Sequence, residues 1–240
     1  VSQESLDSFL DKWRGRWPEW GIAQAFVAPA LRTRAAAWFS LLQELHDAAW
    51  AGAEPAPGLA KLAWWQDELR GWARGARRHP LGEALQRIDA PWDGLALALA
   101  RLPATREPDS AQAEQEALRG WAAGVLHCET ALFGRRVGPA PAALDAFTGT
   151  LRIERALARG DLDAALALRH SLDAPGVAAL GRPRRLRQAM LRERLGVLAA
   201  HAPAPGAPRP AVPPVRMLLA AWRAARGGNA SLQGSQGGGR

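Results

Sequence analysis

Lys61-Leu62-Ala63-Trp64-Trp65-Gln66-Asp67-Glu68-Leu69-Arg70, closed by His79-Pro80-Leu81, is the stretch that decides the fold. Leu62, Trp65, Leu69 and Trp72 fall at i, i+3, i+7 and i+10, one face of a helix over about residues 59–75. Such a stripe implies burial on one side. Trp64 leaves the same helix about a third of a turn away from Trp65. One ring can enter the core while the other meets a cavity wall or a neighbouring helix; core burial of both is the commoner use of such rings.

The same period recurs along the chain. Leu6, Phe9, Leu10 and Trp13 mark a short helix over 3–14, which Trp17-Pro18-Glu19-Trp20-Gly21 breaks. Residues 22–51 read as one or two helices with Pro29 at a break or a first-turn position, and Leu31, Ala35, Trp38, Leu42, Leu45 and Ala49 alternate steps of four and three. Residues 52–58, with Pro55 and Pro57, read as a loop. Short helices follow over 81–88 and 93–102, then a polar loop over 103–109. Leu118, Trp121, Val125, Cys128 and Leu132 define a helix over 110–133, with Cys128 as a core thiol and His127 one step off that face. A helix over 142–159 ends at Gly160, and Asp161 caps the next, 162–171. A basic helix over 183–200 starts at Pro183, and most of Arg184, Arg185, Arg187, Arg192 and Arg194 are expected on a solvated face.

No strand alternation and no internal repeat stands out, so the fold class is all-α, with about seven to nine helices. The domain reading is one helical domain over 1–201, a Pro/Ala linker over 202–214, a terminal helix over 215–226 and a Gly/Ser/Gln-rich disordered tail over 227–240.

The chain has 240 residues, 48% of them hydrophobic, enough for a substantial core. Cys128 is the only cysteine, so no internal disulfide or thiolate metal cage can form. No apolar run reaches the ~20 residues of a spanning helix. The expected location is cytoplasmic, with peripheral membrane contact open. The formal charge is +8, and Lys12 and Lys61 are the only lysines among the cations. Such a balance suits a diphosphate, an acidic membrane surface or nucleic acid, unless it reflects a coding bias toward arginine. The arginines are scattered and no zinc-finger or RRM signature is present, which argues against nucleic acid.

The Trp-Trp segment with His79-Pro80, together with Gly120-Trp121-Ala122-Ala123-Gly124-Val125 and Leu132-Phe133-Gly134, resembles the squalene/phytoene synthase family over about residues 20–200. The resemblance implies an isoprenoid synthase-type helical bundle around a central apolar cavity. Such proteins join prenyl diphosphates head to head, using two aspartate-rich helices that hold magnesium at the cavity mouth. Magnesium takes hard oxygen ligands and neutralises the leaving diphosphate.

This sequence departs from that pattern. On the family's first motif, Tyr-x-x-x-Arg-x-x-Asp-Asp-x-x-Asp, Phe39 stands at the Tyr, Gln43 at the Arg, and His46, Asp47 and Trp50 at the aspartates. Glu44, three residues before Asp47, leaves a residual carboxylate pair. On the second motif Arg155 stands at the Asn, Arg159 at the first Asp and Asp163 at the last. Residues 152–160 thus hold Arg152, Arg155 and Arg159, with Glu154 as the only carboxylate, and a basic wall would grip a diphosphate directly.

The resemblance therefore implies a degenerate synthase-like protein, needing no cofactor, that binds a prenyl diphosphate or lipid or acts as a scaffold or assembly factor with a protein partner. A branch of the family that resembles respiratory complex I assembly factors has likewise lost its aspartates. The alternative is an active magnesium-dependent prenyl-diphosphate transferase with a rearranged site. There Glu44, Asp47 and Asp163 would be the metal or diphosphate residues, joined by Asp67 and Glu68 unless these two form a solvated edge. Arg152, Arg155 and Arg159 are the candidate diphosphate grip, and Phe39, Gln43, His46, Trp64 and Trp65 the candidate cavity wall. An unrelated helical interaction module with a solid core is the third reading.

Overall fold

The computed structural model describes residues 5–134, 138–200 and 210–227. The described residues form an all-α protein of eleven α-helices with no strand: α1 (Leu6–Arg16), α2 (Trp20–Ala23), α3 (Arg32–Trp50), α4 (Pro55–Ala73), α5 (Gly82–Leu85), α6 (Trp92–Leu99), α7 (Ala111–Leu132), α8 (Pro141–Ala158), α9 (Leu162–Ala167), α10 (Arg182–Ala200) and α11 (Pro214–Arg226). Short 3-10 turns fill several of the connections. The expected linker falls largely on residues outside those described, as does all of the expected tail beyond Gly227. None of the described helices is long and apolar enough to cross a membrane.

α3 is the hub. It packs against α1, α4, α5 and α8, and thirteen of its nineteen residues are buried. Its neighbours form a ring in which α4 meets α6, α6 meets α7 and α7 meets α8. The helix starts follow local chemistry. Ser5, Ser110 and Asp161 accept the backbone N–H three residues on, at 3.3, 3.1 and 2.9 Å. Gly160 adopts φ 79° and ends α8 as the sequence implies.

The expected 52–58 loop is shorter than the sequence suggests, because Pro55 opens α4 at its first position. Gly58 lies inside α4, where a Cβ would fall 2.1 Å from the Ala48 carbonyl oxygen, so only glycine lets α4 approach α3 there.

Of the eleven tryptophans, all except Trp64 and Trp222 are buried. A buried indole brings a donor that needs an acceptor. Trp50 donates to Thr105 Oγ1 at 2.8 Å, and Trp72 to Glu68 at 2.8 Å. Glu68 is therefore no solvated edge. It is 1% exposed and also accepts the backbone N–H groups of Arg78 and His79, which fixes the turn before His79-Pro80. Burial alone would raise its carboxyl, but these hydrogen bonds hold it below the usual carboxylate range.

The expected polar loop at 103–109 is likewise half interior. Arg106 is buried, and its guanidinium donates to the carbonyls of Ala49 at 3.2 Å, Ala51 at 3.3 Å and Ala53 at 3.4 Å. It satisfies carbonyls at the α3 C-terminus and places a cation against the negative end of the helix dipole. Arg106→Leu should lower unfolding free energy by about 2–3 kcal/mol, the scale of hydrogen bonds to a charged group. Urea denaturation checks this, and an unchanged midpoint would show that solvent caps α3 equally well.

Candidate functional site

The helices that carry the two expected walls, α3 and α8, do face each other, and their side chains touch. His46 Nδ1 lies 3.1 Å from Glu154 Oε2, and Trp121 Nε1–H donates to His46 Nε2 at 3.0 Å. A nitrogen accepting the indole proton carries none itself, so the imidazole proton sits on Nδ1, pointing at Glu154. Trp50 packs on the same imidazole, with ring centroids 4.6 Å apart.

α10 completes this centre. Residues 183–191 are buried without interruption, although Arg184, Arg185 and Arg187 lie among them. The expectation that most of this helix's arginines face solvent is overturned for these three. Arg187 pairs with Glu154 Oε1 at 3.0 Å, Arg184 forks onto Glu129, and Arg194 pairs with Glu19. Trp38 adds a 2.7 Å hydrogen bond to Glu129. The Arg187 and Arg194 guanidinium carbons lie 3.5 and 3.6 Å from the Trp17 ring, and that of Arg184 lies 4.2 Å from Phe147 and 5.1 Å from Phe39.

The electrostatics follow from burial. Burial alone would raise the Glu154 carboxyl. The Arg187 charge, then the His46 hydrogen bond, override it and pull the group down to about 2. Arg187 is lowered to about 10, because the cost of burial plus repulsion from Arg194 and Arg184 exceeds the attraction of Glu154 and Glu19. Both remain charged at neutral pH. Burial pushes the Cys128 thiol up, as a core thiol requires.

The residues singled out from the sequence scatter around this centre. Phe39 is buried against Trp13 and Trp20, at centroid distances of 5.9 and 5.8 Å. Gln43 accepts from Trp17 Nε1 at 3.0 Å and donates to Asp47 at 2.9 Å. Asp47 is paired with Arg16 at 2.6 Å, and Glu44 with Lys12 at 3.3 Å and with Lys61. Glu44 is held low by these lysines against the opposing effect of burial. Trp65 is core, whereas Trp64 is 38% exposed beneath Arg78, 5.2 Å from its ring. Asp67 is exposed and paired with Arg70 at 3.2 Å. Asp163 is exposed in the first turn of α9, apart from the rest. His127 is exposed with Nδ1 2.8 Å from the Ala123 carbonyl oxygen.

Arg152 and Arg155 on α8 and Arg159 at its C-cap follow one side of the helix; the first two are half-buried and Arg159 is exposed, and each reaches a protein acceptor. Arg155 Nη1 lies 3.2 Å from Glu114 and its Nε donates to the Thr105 carbonyl; Arg159 donates to the Arg106 carbonyl at 3.0 Å. Arg152 approaches Glu114 more loosely, at 3.9 Å.

Magnesium would need several carboxylate oxygens converging on open space. Here Glu44 and Asp47 are occupied by three cations, and Glu154 by a guanidinium and an imidazole. Among the described residues no group of three His, Cys, Asp or Glu side chains is placed to hold a metal ion. As arranged, the donors do not fit that ion.

Sequence reasoning missed Glu19, Glu129, Arg184 and Arg187 as interior groups. A signal was present, since Arg184, Arg187, Leu191 and Arg194 follow the same 3/4 spacing as a core stripe.

Two outcomes check this account. Glu154 has a folded-state pKa near 2 against 4.5 unfolded, so its stabilisation is fully present above about pH 4.5 and is lost as pH falls toward 2. The stability difference between wild type and Glu154→Gln should thus be on the order of 3 kcal/mol at pH 7 and shrink steadily below pH 4.5. A difference independent of pH would remove the charge from the argument. Arg155→Ala combined with Arg159→Ala should destabilise by about 2 kcal/mol through lost charge-assisted bonds to Glu114 and the 105–106 carbonyls. Thermal unfolding would decide, and an unchanged midpoint would show that these bonds do not stabilise the fold. No protein-family model, curated protein or solved structure matches this chain.

Proposed function

We propose that this chain is a degenerate squalene/phytoene synthase-like protein, built on an isoprenoid synthase-type bundle, that acts as a scaffold or assembly factor without metal-dependent prenyl transfer. The observation that carries the reading is the 3.1 Å approach of His46 on α3 to Glu154 on α8. A synthase needs these two helices to stand apart, with carboxylates on each flanking a magnesium-bound diphosphate. Here a histidine and a glutamate bridge the gap and an arginine from α10 closes it from the third side. The Arg184 guanidinium 5.1 Å from the Phe39 ring supports the reading, since it sets a buried charge beside a position expected to line the cavity.

An active transferase with Glu44 and Asp47 as ligands would have to displace Lys12, Lys61 and Arg16 from them, and no feature of the site favours that exchange. A buried ion-pair network adds little net stability over an apolar core, but it penalises every alternative packing that leaves a charge unpaired. That property suits a protein whose product is its shape.

Titration calorimetry with farnesyl thiodiphosphate, a non-reactive prenyl diphosphate, tests the reading. The expected result is no saturable heat with or without magnesium. Magnesium-dependent binding would overturn the scaffold reading in favour of the enzyme. Binding without magnesium would replace it with an arginine-lined prenyl pocket.

A further inference from the structure

α11 is apolar on two sides. Met217 and Ala221 are fully buried, on the face that packs on α10 and α2. Val215, Leu218, Leu219 and Trp222, at i, i+3, i+4 and i+7, form a second stripe that is 71, 47, 48 and 45% exposed. A helix apolar on two sides calls for two partners, and one is supplied by α10 and α2. The exposed stripe continues across a groove lined by Phe26, Pro29, Arg32, Arg182, Trp222 and Arg226. Four large apolar side chains on one exposed stripe, extended by a groove, are the mark of an interaction surface.

Charge narrows the partner. Residues 20–34 and 210–227, which supply most of this surface, contain no aspartate or glutamate. They carry Arg32, Arg223 and Arg226, with Arg182 at the groove between them, while Arg216 is paired with Glu193 on α10 and Arg34 donates to the Leu132 carbonyl at 2.9 Å. A two-fold contact with a second copy would bring arginine against arginine across the same face. A layer of anionic headgroups above an apolar interior matches both features at once. Trp222, with the Arg226 guanidinium 4.6 Å from its ring, is the kind of side chain that lies at a headgroup boundary.

We propose that the outward face of α11, with the edge formed by residues 25–32, docks on an anionic lipid bilayer, Leu218, Leu219 and Trp222 entering the interface and the arginines meeting headgroups. The inference stands apart from the interior reading above, since none of its side chains belongs to the α3–α8–α10 network.

Co-sedimentation of the full chain with lipid vesicles tests it. The protein should pellet with vesicles of phosphatidylcholine containing phosphatidylglycerol, stay in solution with phosphatidylcholine alone, and be released by salt. Leu219→Asp should weaken binding at least about tenfold. Arg223→Gln with Arg226→Gln should weaken it by about fivefold per arginine. Leu97→Asp, at an exposed leucine on α6, should change nothing, which separates this face from general stickiness. Thermal midpoints establish that each variant folds, and Leu218→Ser serves if Leu219→Asp does not. The proposal fails if wild type ignores anionic vesicles or if the Leu219 and Leu218 variants bind as wild type does. It fails equally if wild type self-associates through this face and Leu219→Asp makes it monomeric, because the occupant is then a second copy.

Discussion

The structure depends on the burial of arginine. A guanidinium cannot shed its proton to enter the interior, so each one on the inner side of α10 must meet an acceptor already in place. Arg184 requires Glu129 on α7, Arg187 requires Glu154 on α8, and Arg194 requires Glu19 at the entrance to α2. Those acids in turn fix the indoles. Glu129 takes the Trp38 proton, while Glu154 orients His46, whose other nitrogen takes the Trp121 proton. The position of α10 thereby sets side chains on α3, α7 and α8 that apolar packing alone would leave free to slide.

The same chemistry governs how charge is distributed in the interior. A metal or a diphosphate binds where charge is left uncompensated in a place it can reach. In this centre each carboxylate is paired with a guanidinium, with tryptophan and histidine in the intervening directions, and Arg187 Nη1 is a guanidinium nitrogen left buried without a hydrogen-bond partner among the described residues. The outer carboxylates, Glu44 and Asp47, are matched by Lys12, Lys61 and Arg16. Unanswered apolar surface lies instead on the outside, along α11.

Much of the fold was legible from the sequence because it rests on periodicity and caps. The Leu62–Trp65–Leu69–Trp72 stripe, the Cys128 core position, the stop at Gly160 and the Asp161 cap all follow from local rules and stand in the structure. What was not legible is direction. The spacing of Arg184, Arg187 and Arg194 fits an outer stripe as well as an inner one. Only the acids on α2's entrance, α7 and α8, distant in sequence, decide which. Glu68 misleads in the same way, since nothing near it in the chain announces that the Arg78–His79 turn folds back onto it. The candidate ligands on α3 could be named by position, but the cations that occupy them come from α1 and α4, which no local pattern reveals.

The Arg194–Glu19 pair joins positions 175 residues apart. Closing a loop of that length costs about 4–5 kcal/mol of chain entropy by the logarithmic rule. Helices formed between the two positions shorten the path and lower that cost. During synthesis Glu19, Glu129 and Glu154 all emerge before α10 exists to neutralise them. A nascent chain that has not yet released α10 therefore holds three carboxylates at positions destined for the interior, and its core cannot close around them. Closure of the interior thus waits on α10, which is made after every acid it neutralises.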